Sequence, residues 1–562
     1  MVSSTSPRGI ALQQAQTDPM RDRITRVWED YRDLTNYFSI DISLQRKSKL
    51  REFLEFELLS LRRQPFELYN QQDRVDYLLL QNYLQRQLRS IKLEAKLDDE
   101  AKPLFPFSEG IVGLCEARAA VDPLQPKRAA QQLFETQKNI LEVTASVENG
   151  VYASMTKSSA FRGARAIDSL QHHLEEWYNF YKGYDPMFDW WVAQPYGEVD
   201  GSLKKLKETI RQELVGIRPD DEDAIVGEPI GREGLLAELE AEMIPYTPEE
   251  IIKIGEREFT WCVEELKKAS RVMGFADDWP RALEKVKNDY VEPGQQTQLV
   301  RTLAEETIAF VEDHSLVTVP AIAKDTWQMF MMSPERQKTN PFFLGGESII
   351  VSYPTDTMDH GSKMMSMRGN NIHFSRATVF HELIPGHHLQ FYVNARHRPY
   401  RLLFDTPFWV EGWSLYWEMI LWDDKRFQKT PENRMGMLFW RLHWCARIIF
   451  SINFHLGKMT PEECVELLVR QVGHERATAE GEVRRSLSGD YSPLYQAGYM
   501  LGALQIYTLR RELVDTNRVD ELAFHDRILR ENRMPIELLR ALMLNLPLSP
   551  DYRPRWRFYP GL

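Results

Sequence analysis

Long runs of helix-forming residues, with apolar side chains three and four positions apart, most strongly constrain how this chain can fold. After a polar opening segment, apolar residues recur at helical spacing through Ile24, Val27, Tyr31 and Leu34. The chain from there to about residue 215 is rich in Leu, Gln, Arg, Glu and Lys, which favour helices. We therefore expect a mainly α fold with at most a small β element.

Local signals mark where several elements begin. The same four residues, Thr-Pro-Glu-Glu, stand at 247–250 and again at 460–463. In each copy the Thr hydroxyl and the second Glu carboxylate can satisfy free backbone N–H groups, and proline suits the first helical position. Both segments therefore predict a helix start. The stretch SIIVSYP, which follows Gly345-Gly346, is the best strand candidate.

The length of 562 residues exceeds the size at which a single core stops growing, so more than one lobe is expected. A cluster of Pro, Gly and acidic residues in GIRPDDEDAIVGEPIGREG indicates a linker or an edge loop. We predict a disordered segment over residues 1–20, a helical lobe over residues 21–235 and a second helical lobe over residues 236–562.

Composition and charge exclude several classes of protein. A formal net charge of −12 and the lack of a long basic block argue against nucleic acid as a partner. The four cysteines show no CxxC spacing, which argues against a disulfide scaffold or a thiolate zinc site. The sequence contains no run of about 20 apolar residues, so it predicts no transmembrane segment. The chain as it stands predicts a cytoplasmic protein, or an exported one if a leader has been removed; its oligomeric state stays open.

The candidate catalytic and metal-binding residues cluster in the segment SRATVFHELIPGHHLQFY. It holds His381, Glu382, His387 and His388 within eight positions. On a straight helix His387 would lie about 9 Å along the axis and roughly 120° around it from His381, too far to share a metal. The intervening Pro385-Gly386 pair predicts a kink that could bring them together. His388 would return to the face of His381 without a kink, so spacing alone leaves both histidines open.

A third ligand is expected on the helix that Thr406-Pro407 opens, which carries Glu411 and Glu418. Two imidazoles, one carboxylate and an open position form the ligand set of a catalytic zinc, here predicted at one ion per chain. Glu382, beside the first histidine, would act as general base and then as general acid. Glu418 could orient a ligand imidazole from behind, or it could be a buried ion-pair partner.

The residues His381, Glu382, Pro385, Gly386 and His387 spell HExxPGH. They are followed by Leu389-Gln390, Glu411-Gly412-Trp413, Leu415-Tyr416 and Glu418. Over roughly residues 25 to 555 the chain resembles a large bacterial family known as domain of unknown function 885, which is grouped with the zinc peptidases of the glutamate-ligand (gluzincin) type. The resemblance implies one continuous two-lobed helical domain with a deep central cleft. It also implies His381, His387 and Glu411 as the zinc ligands.

Other residues could take part in catalysis or in substrate binding. A developing oxyanion needs a donor besides the metal, and His455 and Tyr499 are the candidates. Arg484 and Arg485 could hold a substrate carboxylate or could be solvated surface residues. The chain also departs from the family pattern, as Ser451 and Asn453 replace an Asp before a Gly and His, and Pro493-Leu494-Tyr495 replaces Pro-Gly-Gln.

The function predicted from these residues is zinc-dependent hydrolysis of peptide bonds in short or unfolded peptides. Hydrolysis of a non-peptide amide or ester would use the same residues, so a small amide is a second candidate substrate. A third hypothesis is a peptide- or ligand-binding protein that has lost catalysis, which the departures at Ser451 and Asn453 motivate. The sequence does not encode the leaving group, the end of the substrate that is cut or the native metal.

Overall fold

The structure is a computed structural model that describes residues 19–218, 224–337, 342–489 and 491–562. Most of the predicted disordered segment, residues 1–18, lies outside the described residues. The described part is mainly helical, with 23 α-helices and one tiny parallel sheet, so the predicted mainly α class is confirmed.

The first helices are α1 (Met20–Tyr37), α2 (Leu44–Arg62), α3 (Gln71–Ala101), α4 (Ser108–Ala119), α5 (Pro126–Glu148), α6 (Lys157–Tyr181) and α7 (Pro186–Ile210). They are followed by α8 (Gly231–Ala241), α9 (Pro248–Val272), α10 (Trp279–Lys287), α11 (Gln296–Asp313), α12 (Ala321–Thr326), strand β1 (Gln328–Met331), α13 (Pro334–Gln337), strand β2 (Ser348–Val351) and α14 (His360–Gly369). The last are α15 (Ile372–Glu382), α16 (His387–Asn394), α17 (Pro407–Asp423), α18 (Pro431–His455), α19 (Pro461–Leu467), α20 (Arg476–Leu487), α21 (Tyr495–Leu513), α22 (Glu521–Glu531) and α23 (Ile536–Met543).

The local start signals function as the sequence predicts. Thr247 caps α9 and Thr460 caps α19, and in both the hydroxyl and the Glu carboxylate make the reciprocal bonds of a capping box. The expected strand is β2, which pairs in parallel with β1 in the register Gln328 to Ser348. Among the described residues no helix is both long and apolar enough to cross a lipid bilayer.

The chain divides into two compact units. The first comprises the residues up to Pro65 together with Leu80–Glu228. Its core is formed mainly by α4 to α7, where the rings of Trp177 and Phe188 meet edge to face with their centres 5.2 Å apart. The unit ends close to the predicted lobe boundary at residue 235.

The second unit comprises Phe66–Leu79 and Pro229–Leu562, so it includes a segment that the sequence analysis assigned to the first lobe. A buried polar network holds this segment. Arg401, whose side chain is fully buried, pairs through Nε with Asp76 Oδ1 at 2.7 Å and donates from Nη2 to Gln72 Oε1 at 2.8 Å. A buried guanidinium is stable only when its donors are paired, so Arg401 fixes Phe66–Leu79 to the unit.

Two helices of the second unit cross at unusually close range. A Cβ atom on Gly502 of α21 would lie 2.2 Å from the carbonyl oxygen of Phe408 in α17, and one on Gly412 would lie 2.8 Å from Gly502 Cα. Only glycine permits such an approach of two backbones. Helix α17 is accordingly buried on nearly all sides, including Trp409, Trp413 and Trp417.

We predict that Gly502→Ala destabilises the protein by about 1–3 kcal/mol or more, because the added methyl overpacks the crossing of α17 and α21. The matched control is Gly201→Ala in α7, where an added Cβ meets nothing within 4 Å. That change should instead raise stability by about 0.5–1 kcal/mol, since glycine is a poor helix former. Denaturant unfolding followed by circular dichroism measures both. Equal stability of Gly502→Ala and the parent chain would contradict the assigned packing.

Candidate metal centre

Within the HExxPGH segment one helix ends and another begins. Helix α15 ends at Glu382 and α16 starts at His387, so the predicted kink is in fact a four-residue loop, residues 383–386. A Cβ on Gly386 would lie 1.8 Å from the carbonyl oxygen of His381, so the loop folds directly against the end of α15. Trp413 Nε1 of α17 donates to the carbonyl of Pro385 at 2.9 Å and fixes the loop from the other side.

The break brings the two histidines of the motif together. The ring centres of His381 and His387 lie 5.0 Å apart, and the rings are almost perpendicular. Glu411 of α17 lies between their outer nitrogens. Its Oε2 accepts from His387 Nε2 at 3.0 Å and lies 3.6 Å from His381 Nε2. All three side chains are at most 7% exposed.

These separations match the size of a zinc coordination shell. With Zn–N and Zn–O bonds of about 2.0–2.2 Å, neighbouring ligand atoms of a tetrahedral ion lie about 3.3–3.6 Å apart. Glu418, two turns after Glu411, accepts from His381 Nδ1 at 2.7 Å and so directs Nε2 of that ring toward Glu411. The donors present therefore fit a divalent cation held by His381, His387 and Glu411.

His388 faces away from this group. Its Nδ1 lies 2.9 Å from the carbonyl oxygen of Glu347, and its Nε2 lies 2.9 Å from that of Ala323. Both ring nitrogens are engaged by backbone acceptors, and a metal ligand needs a free lone pair. The geometry thus favours His387 over His388 as the second imidazole ligand.

Glu382 is the other carboxylate at this place. One of its oxygens and one ring nitrogen of each of His381 and His387 all lie within 4.8 Å of one another. Glu411 approaches both Nε2 atoms more closely, so we take Glu411 as the ligand and Glu382 as the adjacent unligated carboxylate. Burial raises the pKa of Glu382, a shift that the positive charges of His381 and His387 oppose. Gly345 leaves room for it, since a Cβ there would lie 2.1 Å from Glu382 Oε2.

The candidate ligands are joined to one another by hydrogen bonds. Burial disfavours charge on His381, but its bonds to Glu411 and Glu418 outweigh burial and raise its pKa to about 10. Burial likewise disfavours the charged form of Glu411, but the charge of His387 and the bonds from both histidines hold its pKa well below the usual range.

An aromatic and cationic wall borders the candidate site. Trp444 of α18 stacks on His381, and Tyr499 of α21 stacks on Trp444 with the ring centres 4.5 Å apart. The guanidinium carbon of Arg447 lies 4.5 Å from the centre of the Tyr499 ring. Tyr499, an oxyanion candidate from the sequence, therefore lies beside the ligand group.

Three neighbours of the cluster were not identified from the sequence. The hydroxyl of Tyr495 donates to Glu411 Oε1, and Trp444 Nε1 donates to Glu418 Oε2 at 3.3 Å. Arg447 pairs with Glu482 at 2.6 Å. Tyr495 and Tyr499 lie four residues apart on α21, so the helical period could have indicated that both face the site.

His455 lies elsewhere. It ends α18, eleven residues beyond Trp444, which is about 16 Å along the axis at 1.5 Å per residue. Burial lowers its pKa to about 4, and it makes no hydrogen bond to the cluster within the described chain. Its role as an oxyanion donor stays a prediction without a supporting contact. Ser451 and Asn453 also make no hydrogen bond to the ligands, since Asn453 Nδ2 donates to the Ile449 carbonyl of its own helix.

Comparison with known proteins identifies relatives without assigning an activity. A protein described as a proposed lipoprotein of unknown function from Shewanella oneidensis is 18% identical, with a TM-score of 0.68 over 94% of this chain and 100% of its own. A proposed lipoprotein from Colwellia psychrerythraea is 14% identical, with a TM-score of 0.60 over 95% of this chain and 98% of its own. Both likenesses concern the fold. No curated protein matches the chain. The bacterial family of proteins of unknown function called DUF885 matches residues 39–543, and the chain belongs to that family.

Proposed function

We propose that the protein is a zinc-dependent hydrolase that cleaves peptide bonds in short or unfolded peptides. The observation that carries the proposal is the Glu411 carboxylate, which lies 3.0 and 3.6 Å from the Nε2 atoms of His387 and His381, with the unligated Glu382 beside it. Closed structural zinc sites favour thiolates, whereas two imidazoles and one carboxylate leave a position open for chemistry. When bound, zinc would polarise the substrate carbonyl and acidify water.

Individual side chains would transfer protons, orient a ligand and stabilise the oxyanion. Glu382 takes the proton of the attacking water and delivers it to the leaving amine, a role that suits a carboxyl group whose pKa burial has raised. Glu418 holds the imidazole of His381 in one tautomer and one orientation. Tyr499 beside Arg447 is placed to donate to a developing oxyanion.

Three wider features belong to the same proposal. We expect the two-lobed architecture with a deep cleft that the gluzincin resemblance implies, which would restrict access to short or unfolded chains. The two solved neighbours are described as lipoproteins, so we favour an exported protein over a cytoplasmic one. Of the alternatives, an inactive binding protein is disfavoured because Ser451 and Asn453 do not bond to the ligands. A panel of peptides, simple amides and esters separates the two hydrolase hypotheses.

The first test is metal content. The purified chain should contain about one zinc, His387→Ala should lose it, and the matched variant His388→Ala should keep it, since only His387 borders Glu411. Plasma mass spectrometry gives the metal content, and thermal unfolding verifies that both variants are folded. A wild-type chain that stays free of metal after zinc addition would overturn the assignment.

The second test separates catalysis from metal binding. Glu382→Gln should retain zinc and lose about 100- to 10,000-fold in turnover of a short-peptide library, because the amide cannot accept the proton. Glu305→Gln, an exposed glutamate paired with Arg301 at 2.8 Å, is the control and should keep full activity. Unchanged turnover in Glu382→Gln would exclude Glu382 as the base.

The third test concerns the support of the first ligand. Glu418→Gln should lower zinc affinity about 10- to 100-fold, because a neutral amide holds the His381 ring less firmly than a carboxylate does. Asp423→Asn on the same helix, whose carboxylate accepts from Tyr507 at 2.6 Å, should leave affinity unchanged. Competition with a chromophoric chelator measures both. Equal affinities of the two variants would mean that Glu418 only packs behind the ligand.

A further inference from the structure

Arg485 lies near the end of α20, beside the candidate site. Within the described residues, its two terminal nitrogens make no hydrogen bond to protein. Its Nε donates to the Tyr491 hydroxyl at 3.2 Å, and its guanidinium carbon lies 4.9 Å from the centre of that ring. No carboxylate within the described residues approaches Arg485 closely enough for an ion pair. The other arginine of this region, Arg447, is paired with Glu482 at 2.6 Å.

Two tyrosines connect Arg485 to the ligand group. The rings of Tyr491 and Tyr495 have their centres 4.4 Å apart, and the Tyr495 hydroxyl donates to Glu411. Through Tyr491 and Tyr495, Arg485 is therefore connected to Glu411, one of the candidate metal ligands.

Tyr491, Tyr495 and Arg485 are all partly exposed, whereas Glu418 and Arg447 are buried. Among the described residues the charge of Glu482, which already pairs with Arg447, acts on Arg485 without forming an ion pair with it, so a bound anion would stabilise the partly buried guanidinium. Its two terminal nitrogens match the two oxygens of a carboxylate, and the Tyr491 bond to Nε orients the planar fork.

We propose that Arg485 binds the C-terminal carboxylate of the substrate, so that the peptides cleaved are those with a free carboxyl end, cut at or near that end. This inference rests on the proposed peptidase function and narrows its substrate class. A peptide whose terminus is an amide lacks the negative charge and the second acceptor oxygen, so it loses the bidentate contact. Short N-acylated amino acids carry the same carboxylate, so they belong to the proposed substrate class as well.

The test compares one mixture of short random peptides, prepared as free acids and as C-terminal amides. The zinc-loaded wild type should cleave the acids with a kcat/KM about 10- to 100-fold above that of the amides, as expected for loss of one charge-assisted contact. Mass spectrometry should locate the cuts near the carboxyl end. Arg485→Ala should abolish the preference by raising KM for the acids alone. Arg476→Ala, which removes an exposed arginine of the same helix, should leave it intact.

Peptide binding, measured by ultrafiltration, tests the carboxylate site independently of turnover. Glu382→Gln should retain the free acids over the amides on ultrafiltration, and Glu382→Gln with Arg485→Ala should not. Retention through Arg485 without any cleavage by the wild type would overturn the peptidase proposal and leave the carboxylate site standing. Cleavage of amides and acids at equal rates, or an acid preference that survives Arg485→Ala, would overturn the carboxylate site alone. Neither cleavage nor selective retention would overturn both.

Discussion

The candidate site depends on the approach of Gly386 to the carbonyl group of His381. On an unbroken helix the side chains of His381 and His387 would project in directions roughly 120° apart. The loop of residues 383–386 ends α15 and starts α16, so both imidazoles meet at one point with their ring centres 5.0 Å apart. Any residue larger than glycine at 386 would collide with the backbone of α15, since its Cβ would lie 1.8 Å from the His381 oxygen.

The second constraint is the glycine crossing of α17 with α21. It brings the face of α17 that carries Glu411 against the face of α21 that carries Tyr495 and Tyr499. Because Glu411 and Glu418 lie two turns apart on one face, α17 supplies both the candidate ligand and the carboxylate behind His381. Three buried carboxylates, Glu382, Glu411 and Glu418, then meet two imidazoles. A divalent cation would offset the excess of negative charge, which is a physical reason for such a group to bind one.

How much of the fold and of the candidate site the sequence predicts depends on how far apart along the chain the interacting residues lie. Capping boxes at Thr247 and Thr460 are local, so the starts of α9 and α19 were predictable. The HExxPGH pattern is nearly local and predicts a kink in the helix, but its spacing alone left His387 and His388 both open as ligands. Arg401 with Asp76 and Gln72 joins residues more than 300 positions apart, and no local pattern signals such a pair. The assignment of Phe66–Leu79 to the second unit was missed for that reason. The helical period places Tyr495 on the same face of α21 as Tyr499, but its bond to Glu411 depends on the helix crossing at Gly412 and Gly502.

The polar groups around the cluster are distributed unevenly, and this asymmetry bears on how a substrate would approach. Trp444 bonds to Glu418, and Arg447 is neutralised by Glu482, so these buried groups have their main charges paired. Tyr491, Tyr495 and Arg485 are partly exposed, and Arg485 forms no ion pair with a carboxylate of the described chain. Paired charges in a buried wall orient ligands, whereas an unpaired, accessible guanidinium attracts anions. Under the proposed function, the carboxylate of a substrate would therefore bind Arg485 rather than Arg447, whose charge Glu482 already balances.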